Sequence, residues 1–325
     1  MKKISLFTKL TFYFSNVTLL ILYLYPGSII GWLMYGDFQK QPVIVQGITG
    51  KFGMRHTKLM MEYGTNIVAG VTPGKGGQKF EDIVPIYETV KEAVDKTGAK
   101  ISIMFVPAKF FLGAAKDALE AGIKLLVAIP EHVPVQDTMK IVEIAKQKGA
   151  IVIGPNTPGV MIPGLIKIGI MPASPFKFGN TAVLSKSGTL LYEIGNNLSS
   201  SGFGQCITIG IGGDPINGTR LVDAFDMVKD YPNLDGIVVV GEIGGDAEEV
   251  LAQKIIDENF EKPVVAYIAG RKAPKEKRMG HAGAIVMGNY GSAESKITMF
   301  SKANIPVAKK PVELPILLAG KMEKK

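Results

Sequence analysis

From Gln41 onward the apolar residues fall into short runs, separated by mixed segments of helical character. PVIVQG, NIVAGV, ISIMFVP, LLVAIP and AIVIGP are β-rich runs of strand length. Between them lie segments such as IYETVKEAVDKTG and VQDTMKIVEIAKQKG, each closing on a glycine suited to a helix C-terminus. Such alternation predicts a parallel sheet with helices on both faces. Residues 41–163 are expected to form one α/β domain.

A Pro/Gly-rich passage around residues 155–180, GPNTPGVMIPG and then MPASPFKFGN, interrupts this rhythm. It reads as an inter-domain linker, with 164–180 as the linker proper. The alternation resumes in TAVLS, CITIG, GIVVVGE and PVVAYIAG, with helical stretches such as DAEEVLAQKIIDENF between them. Residues 181–325 are expected to form a second parallel, doubly wound domain.

Residues 1–40 follow neither pattern. No charged residue stands between Lys9 and Asp37, and Pro26-Gly27 breaks the apolar run. Its length suits a membrane span or signal anchor flanked by Lys2, Lys3 and Lys9, and a signal peptide is a second reading. A third is a natural start near Met34, with the upstream residues arising from a misplaced start codon.

Composition narrows the picture a little. The 325 residues suffice for two domains with sizeable cores. One cysteine, Cys206, excludes an intrachain disulfide and a multi-cysteine metal cluster, and fits a reducing, cytoplasmic setting. The net charge is +8; setting aside residues 1–40 removes four basic residues and one acidic one, leaving +5. That favours anionic ligands. There is no dense Lys/Arg run and no interleaving of basic and aromatic residues, so no nucleic-acid partner is expected, and no membrane partner for the body.

The first candidate chemistry is the turn VIVQGITGKFG, where a strand meets Gly47, Gly50 and Gly53 before a helix. Glycines there let a backbone approach phosphate at a helix N-terminus. The same spacing also serves an unliganded β–α turn. A fold that holds NAD places a carboxylate about 20 residues later, on the ribose. Here NIVAGVTPGKGG supplies Lys75 instead, which suits an extra ribose phosphate, as in NADP or the 3′-phospho-ADP of coenzyme A. GVTPGKGG is one residue short of a phosphate-binding P-loop and lacks the following Ser/Thr, and no other P-loop is present. ATP chemistry therefore points to a second chain.

The second half offers three further features. In TAVLSKSGTLLYEIGNNL a strand turns at Ser187, a natural N-cap, so that Gly188 and Thr189 present N–H groups to an anion. An ordinary capped helix reads the same way. GIVVVGEIGG ends a buried strand on Glu242, at the edge where open α/β sheets bind ligands, although a solvated loop glutamate is equally compatible. RMGHAGAIVMGNYG holds His281, one of three histidines, between small residues. No second histidine or cysteine accompanies it at zinc spacing. A neutral imidazole oriented by Glu242 and facing the Ser187 helix start could accept a phosphoryl group. Otherwise His281 is a surface-loop residue.

Taken in order, GVTPGKGG, GPNTPGV, SKSGTLLYE, GIGGDPI, GEIGG and YIAGRKAPKEKRMGHAGA resemble the alpha subunit of succinyl-CoA synthetase, from about Val43 to the C-terminus. Residues 1–40 have no counterpart in that family. The resemblance implies an α/β chain with an N-terminal Rossmann-like CoA-binding domain followed by a flavodoxin-like doubly wound domain. It implies reversible ligation of succinate to CoA in the tricarboxylic acid cycle, with phosphate carried on His281 and Glu242 as the histidine's partner. By the same resemblance CoA contacts fall at Thr49, Gly50, Lys51 and Phe52, at Lys75, and at Ile129, Pro130 and Glu131. Tyr192 is implied as a substrate contact and Ser187-Gly188-Thr189 as a phosphate-binding helix start. ATP or GTP with Mg would sit in an ATP-grasp beta subunit, in a heterodimer or a dimer of heterodimers.

The chain departs from the family pattern at Lys51 and Phe52, where the turn usually reads T-G-S-Q-G, and at Thr157, where many members carry cysteine. Pro130 replaces a common threonine and Lys186 a common arginine. Rival readings are a ligase subunit acting on acetate or malate, a non-catalytic CoA sensor, and an NADP oxidoreductase.

Overall fold

The computed structural model describes residues 40–274, 279–286 and 291–323. The expectations for residues 1–39 lie outside the described residues. Among the described residues no helix is long and apolar enough to cross a membrane.

The first half contains β1 (Val43–Gln46), α1 (Lys51–Glu62), β2 (Ile67–Val71), β3 (Lys79–Phe80), β4 (Val84–Tyr87) and α2 (Val90–Thr97). It continues through β5 (Ile101–Met104), α3 (Phe111–Glu120), β6 (Leu125–Ala128), α4 (Val135–Lys148) and β7 (Ile151–Ile153). The strands lie in the order β3-β4-β2-β1-β5-β6-β7, parallel except for the short β3. Every residue of β1, β5 and β6 is buried, as strands covered on both faces require. Strand order reverses between β1 and β5, the switch point of a Rossmann-like sheet, and the glycine turn Gly47–Gly53 sits above it.

One expected helix begins later than its pattern implied. Ile86 and Tyr87 belong to β4, and α2 starts only after Thr89, whose hydroxyl accepts a hydrogen bond from Glu92 N at 3.1 Å. A threonine N-cap decides the boundary here, because it satisfies a backbone donor that otherwise has no partner. Helix α4 ends at Gly149 in the left-handed region (φ 56°), as its sequence predicts.

The passage expected to link the domains is built largely around strands. Strands β8 (Gly159–Ile162) and β9 (Ile166–Gly169) form an antiparallel hairpin, and β10 (Phe178–Ser185) follows. Pro163-Gly164 makes the turn, while Met161, Ile162, Ile166 and Ile168 are buried, so the prolines and glycines punctuate a buried hairpin rather than an exposed tether. The hairpin extends the second sheet and also grips the first domain. Thr65 Oγ1 donates to the Lys167 carbonyl (2.7 Å) and accepts from Lys167 N (3.2 Å), and Gly164 N donates to the Tyr63 hydroxyl (2.8 Å). Ile48 and Met60 share one apolar cluster with Ile162, Ile166 and Ile168, which joins the two domains.

The second domain then runs α5 (Gly188–Ser200), β11 (Gln205–Gly210), α6 (Leu221–Val228), β12 (Gly236–Glu242), α7 (Ala247–Asp257) and β13 (Val264–Ala269). It closes with α8 (Ala293–Lys302), β14 (Val307–Ala308) and α9 (Leu314–Met322). Its sheet order is β14-β13-β12-β10-β11-β8-β9. The five strands from β10 to β14 are parallel in the flavodoxin-like order, and the hairpin makes the sheet mixed rather than wholly parallel as expected. The switch point falls between β10 and β12, the strands that lead to Ser187 and Glu242.

Candidate active site

Strand β10 delivers Lys186 and Ser187 to the start of α5. Ser187 Oγ accepts a hydrogen bond from Leu190 N at 3.3 Å, and Leu191, Ile194 and Leu198 are buried on the helix face against the sheet. Beside it β12, buried at all seven positions, ends on Glu242. The His281 loop closes over both.

His281 Nδ1 lies 2.7 Å from Glu242 Oε2, with Glu242 almost fully buried and His281 about 29% exposed. The glutamate hydrogen bond raises the imidazole above its ordinary value of 6.5, against the opposing effects of burial and Lys186. With the Nδ1 proton directed at the carboxylate, Nε2 is the free ring nitrogen.

The small residues around His281 have a physical reason. A Cβ on Gly213 would stand 2.3 Å from the imidazole, and one on Gly244 (φ 93°) would stand 2.0 Å from the Gly283 carbonyl. Gly283 N also donates to the Gly213 carbonyl at 3.3 Å. The histidine loop therefore rests directly on backbone, which holds the ring in place without bulky side chains.

A cavity of about 580 Å³ opens between the domains. Of the residues singled out in the sequence, Phe52, Ile129, Pro130, Glu131, Thr157, Gly188, Thr189, Tyr192 and His281 line it. Ser187 and Glu242 abut it, one as the cap of α5 and the other through His281. A second cavity of about 1090 Å³ lies by Phe260, Pro263 and Ile305, next to the amino ends of β13 and β14, away from the carboxyl edge that carries these groups.

Thr49, Gly50, Lys51 and Lys75 do not line the 580 Å³ cavity. Gly50 is the N-cap of α1 and Lys51 its exposed first residue. Thr49 Oγ1 donates to Thr72 Oγ1 at 3.2 Å, tying the glycine turn to the loop that carries Lys75. In that loop Gly74 N and Gly76 N each donate to the Glu88 carboxylate at 2.6 Å, which holds Glu88 below the usual carboxylate range. Burial pushes the Tyr192 phenol up.

Several neighbours were not singled out from the sequence. Asn156 Nδ2 donates to Asp214 Oδ1 at 2.9 Å, and burial raises the Asp214 carboxyl, which also faces His281. Both lie inside blocks quoted for the resemblance, so the signal was present. His56 is different: it stacks on Phe105 at 5.9 Å and meets Phe52 edge-on at 4.4 Å, and burial with nearby Lys167 and Arg55 lowers it to about 4. Nothing local in the sequence marks that cluster. Thr157, which the sequence did single out, donates to the Gly210 carbonyl and accepts from Gly159 N at 2.9 Å, a structural use of its hydroxyl.

Residues 38–132 match the family model described as CoA binding domain, and residues 184–304 match that described as CoA-ligase. Together with the fold, these define a two-domain chain of the CoA-ligase class. The chain is 49% identical over 281 residues to the alpha 2 subunit of an ADP-forming succinate–CoA ligase of Archaeoglobus fulgidus, covering 86% of this chain and 97% of the relative. It is 51% identical over 271 residues to the corresponding alpha subunit of Methanothermobacter thermautotrophicus, covering 82% and 90%. The chain belongs to the succinate–CoA ligase alpha-subunit family. Among solved structures, an ATP citrate lyase of Methanothrix soehngenii in complex with citrate and coenzyme A superposes with a TM-score of 0.79 at 23% identity. That match covers 89% of this chain and 50% of the lyase chain, and it bears on the fold alone.

Proposed function

We propose that this chain is the alpha subunit of a succinate–CoA ligase and that His281 carries the phosphoryl group between nucleotide and substrate. The observation that carries the reading is the 2.7 Å pairing of His281 Nδ1 with Glu242, beside a cavity shared with the N-terminus of α5. Glu242 accepts the Nδ1 proton's hydrogen bond and leaves the Nε2 lone pair free to attack phosphorus.

The Nε2–P bond forms as the bond to the nucleoside diphosphate breaks. The succinate carboxylate then displaces the imidazole from phosphorus, giving the acyl phosphate. The CoA thiol attacks the acyl carbon, phosphate leaves, and the thiol proton goes to the solvent or the departing phosphate. Gly188 and Thr189 at the start of α5 offer backbone N–H groups to the phosphoryl oxygens. Positioning and preorganised charge supply most of the rate.

We place CoA along the Rossmann-like domain, with Thr49 to Phe52, Lys75 and Ile129 to Glu131 as its contacts, and succinate near Tyr192. The relatives' names, alpha subunit and ADP-forming, support a partner subunit and ATP as the phosphoryl donor. We place the nucleotide and Mg on that beta subunit, and the enzyme in the cytoplasm. The absence of a P-loop from the sequence agrees with this.

The test is to combine the chain with an ATP-grasp beta subunit, supply labelled ATP and Mg, and look for a base-stable, acid-labile phosphate. The label is expected on the wild type and absent from His281→Ala, and the wild type is expected to form succinyl-CoA in preference to acetyl- or malyl-CoA. Equal labelling of both chains would overturn the reading.

A further inference from the structure

Behind the His281–Glu242 pair lies a buried set of charges that the proposed relay does not use. Lys296 on α8 is wholly buried, and its ammonium donates to Glu248, to Glu249 Oε2 at 3.1 Å and to the Gly245 carbonyl at 3.0 Å. Burial opposes that charge, but the two glutamates more than offset the effect and hold Lys296 above the ordinary lysine range. Glu248, also fully buried, accepts from Glu242 N at 3.0 Å and so fixes the end of β12. Lys296 and Glu248 form a rigid frame.

Lys186 differs from this frame. Its Nζ lies 3.6 Å from Glu242 Oε1 and 3.9 Å from Glu248 Oε1, beyond hydrogen-bond distance of both. Glu242 Oε1 is buried and has no hydrogen-bond partner among the described residues. One carboxylate oxygen of Glu242 thus holds the imidazole while the other faces an ammonium it does not bond. Two charges this close in a largely desolvated place interact strongly even without a hydrogen bond.

We propose that Lys186 is a positioning residue for phosphoryl transfer: its charge offsets that of Glu242, so that Glu242 orients His281 without trapping it as the imidazolium. This rests on the phosphohistidine reading above. Among the described residues, the charged groups facing His281 are Glu242 from β12, Lys186 from the turn after β10 and Asp214 from the turn after β11. Glu248 and Glu249 on α7 and Lys296 on α8 lie behind them. Among the described residues, Lys186 alone of these groups adds positive charge beside the pair without being locked into hydrogen bonds to carboxylates. Without it, Glu242 and Asp214 would both favour the protonated ring, which cannot attack phosphorus.

Two measurements on the full chain test this. Histidine NMR of the isolated chain follows the titration of the His281 ring in the wild type, Lys186→Met and Lys186→Arg. The midpoint is expected to rise by about half a unit or more in Lys186→Met and to stay near the wild type in Lys186→Arg. With the beta subunit present, phosphorylation of Lys186→Met is expected to be slowed at pH 7 and to recover at higher pH. An unmoved midpoint in a folded Lys186→Met chain overturns the proposal, as does a loss of phosphorylation equal at every pH. If Lys186→Met fails to fold, Lys186→Gln is read by the same two criteria. The NMR titration judges the charge relationship even if no phosphate reaches His281, so failure of the relay and failure of this inference remain distinguishable.

Discussion

Glu242 Oε2 meets His281 Nδ1 at 2.7 Å across 39 residues of sequence, joining the end of a buried strand to a loop built of small residues. That one contact fixes the ring orientation, names Nε2 as the free nitrogen and biases the ring toward its protonated form. Phosphorylation needs the unprotonated ring, so its initial rate is expected to rise with pH and reach half its maximum above pH 6.5. Replacing the carboxylate removes both effects. In Glu242→Gln the midpoint is expected to fall and the plateau rate to drop about a hundredfold or more, because the productive tautomer is no longer held. Rapid-quench measurement of labelled protein across pH checks both.

The same pair has a thermodynamic signature. His281 binds its proton more tightly in the folded chain than in the unfolded one. Its contribution to stability is therefore fully present below pH 6.5 and fades as pH rises through the higher folded value. The difference in melting temperature between wild type and His281→Gln is expected to shrink over that window. A difference independent of pH would contradict the raised value.

Gly213 offers a test of positioning that leaves every charged group in place. A Cβ there would stand 2.3 Å from the imidazole, so Gly213→Ala must push the ring from its seat. A displacement of about 1 Å costs on the order of a hundredfold in rate. Phosphorylation is expected to fall by that order while circular dichroism and binding of CoA stay close to the wild type.

How far the sequence alone reached depends on the distance between interacting residues. Strands β1, β5, β6 and β12 were legible because burial on both faces writes a continuous apolar run. Helix α4 was legible through its periodicity and Gly149. The β8–β9 hairpin was not, because its prolines and glycines carry the composition of a linker while its partners, Thr65 and Tyr63, lie about a hundred residues earlier. The pairing of His281 with Glu242 is an expectation of residue chemistry and of the family resemblance, since no local spacing connects them. Lys296 and Glu248, 48 positions apart, carry no sequence pattern that marks them as a buried pair. Only the packing of α8 against α7 shows that both are buried.

The hairpin's grip on the first domain can be tested at Thr65. Its hydroxyl serves both the carbonyl and the N–H of Lys167, and the whole contact is buried. Thr65→Val preserves shape and removes both hydrogen bonds, so the expected loss is about 1–3 kcal/mol. It should appear as a lower midpoint in denaturant with little change in slope. Because the contact lies at the domain junction, a larger loss with separate transitions for the two halves would mean that Thr65 couples the domains rather than merely filling the site.

Glu88 is expected to act on CoA through the Lys75 loop rather than by contact. Its carboxylate is exposed, yet it accepts from Gly74 N and Gly76 N at 2.6 Å each and so sets the backbone on either side of Lys75. Glu88→Gln keeps one acceptor oxygen and loses the charge, which leaves the loop less defined in the free protein. Ordering it on binding then costs affinity, while the His281 chemistry is untouched. The expected result is a KM for CoA raised about three- to tenfold with kcat unchanged. Lys75→Ala is expected to show the same pattern, and the double variant should add little, since both act through one loop. The depressed Glu88 value adds a pH dependence. The carboxylate is charged throughout the neutral range and loses its loop contacts only as pH falls through its lowered value, below the ordinary 4.5. A wild-type KM for CoA that rises between pH 8 and pH 6 would therefore need another titrating group, whereas a flat profile there agrees with Glu88 as the clamp.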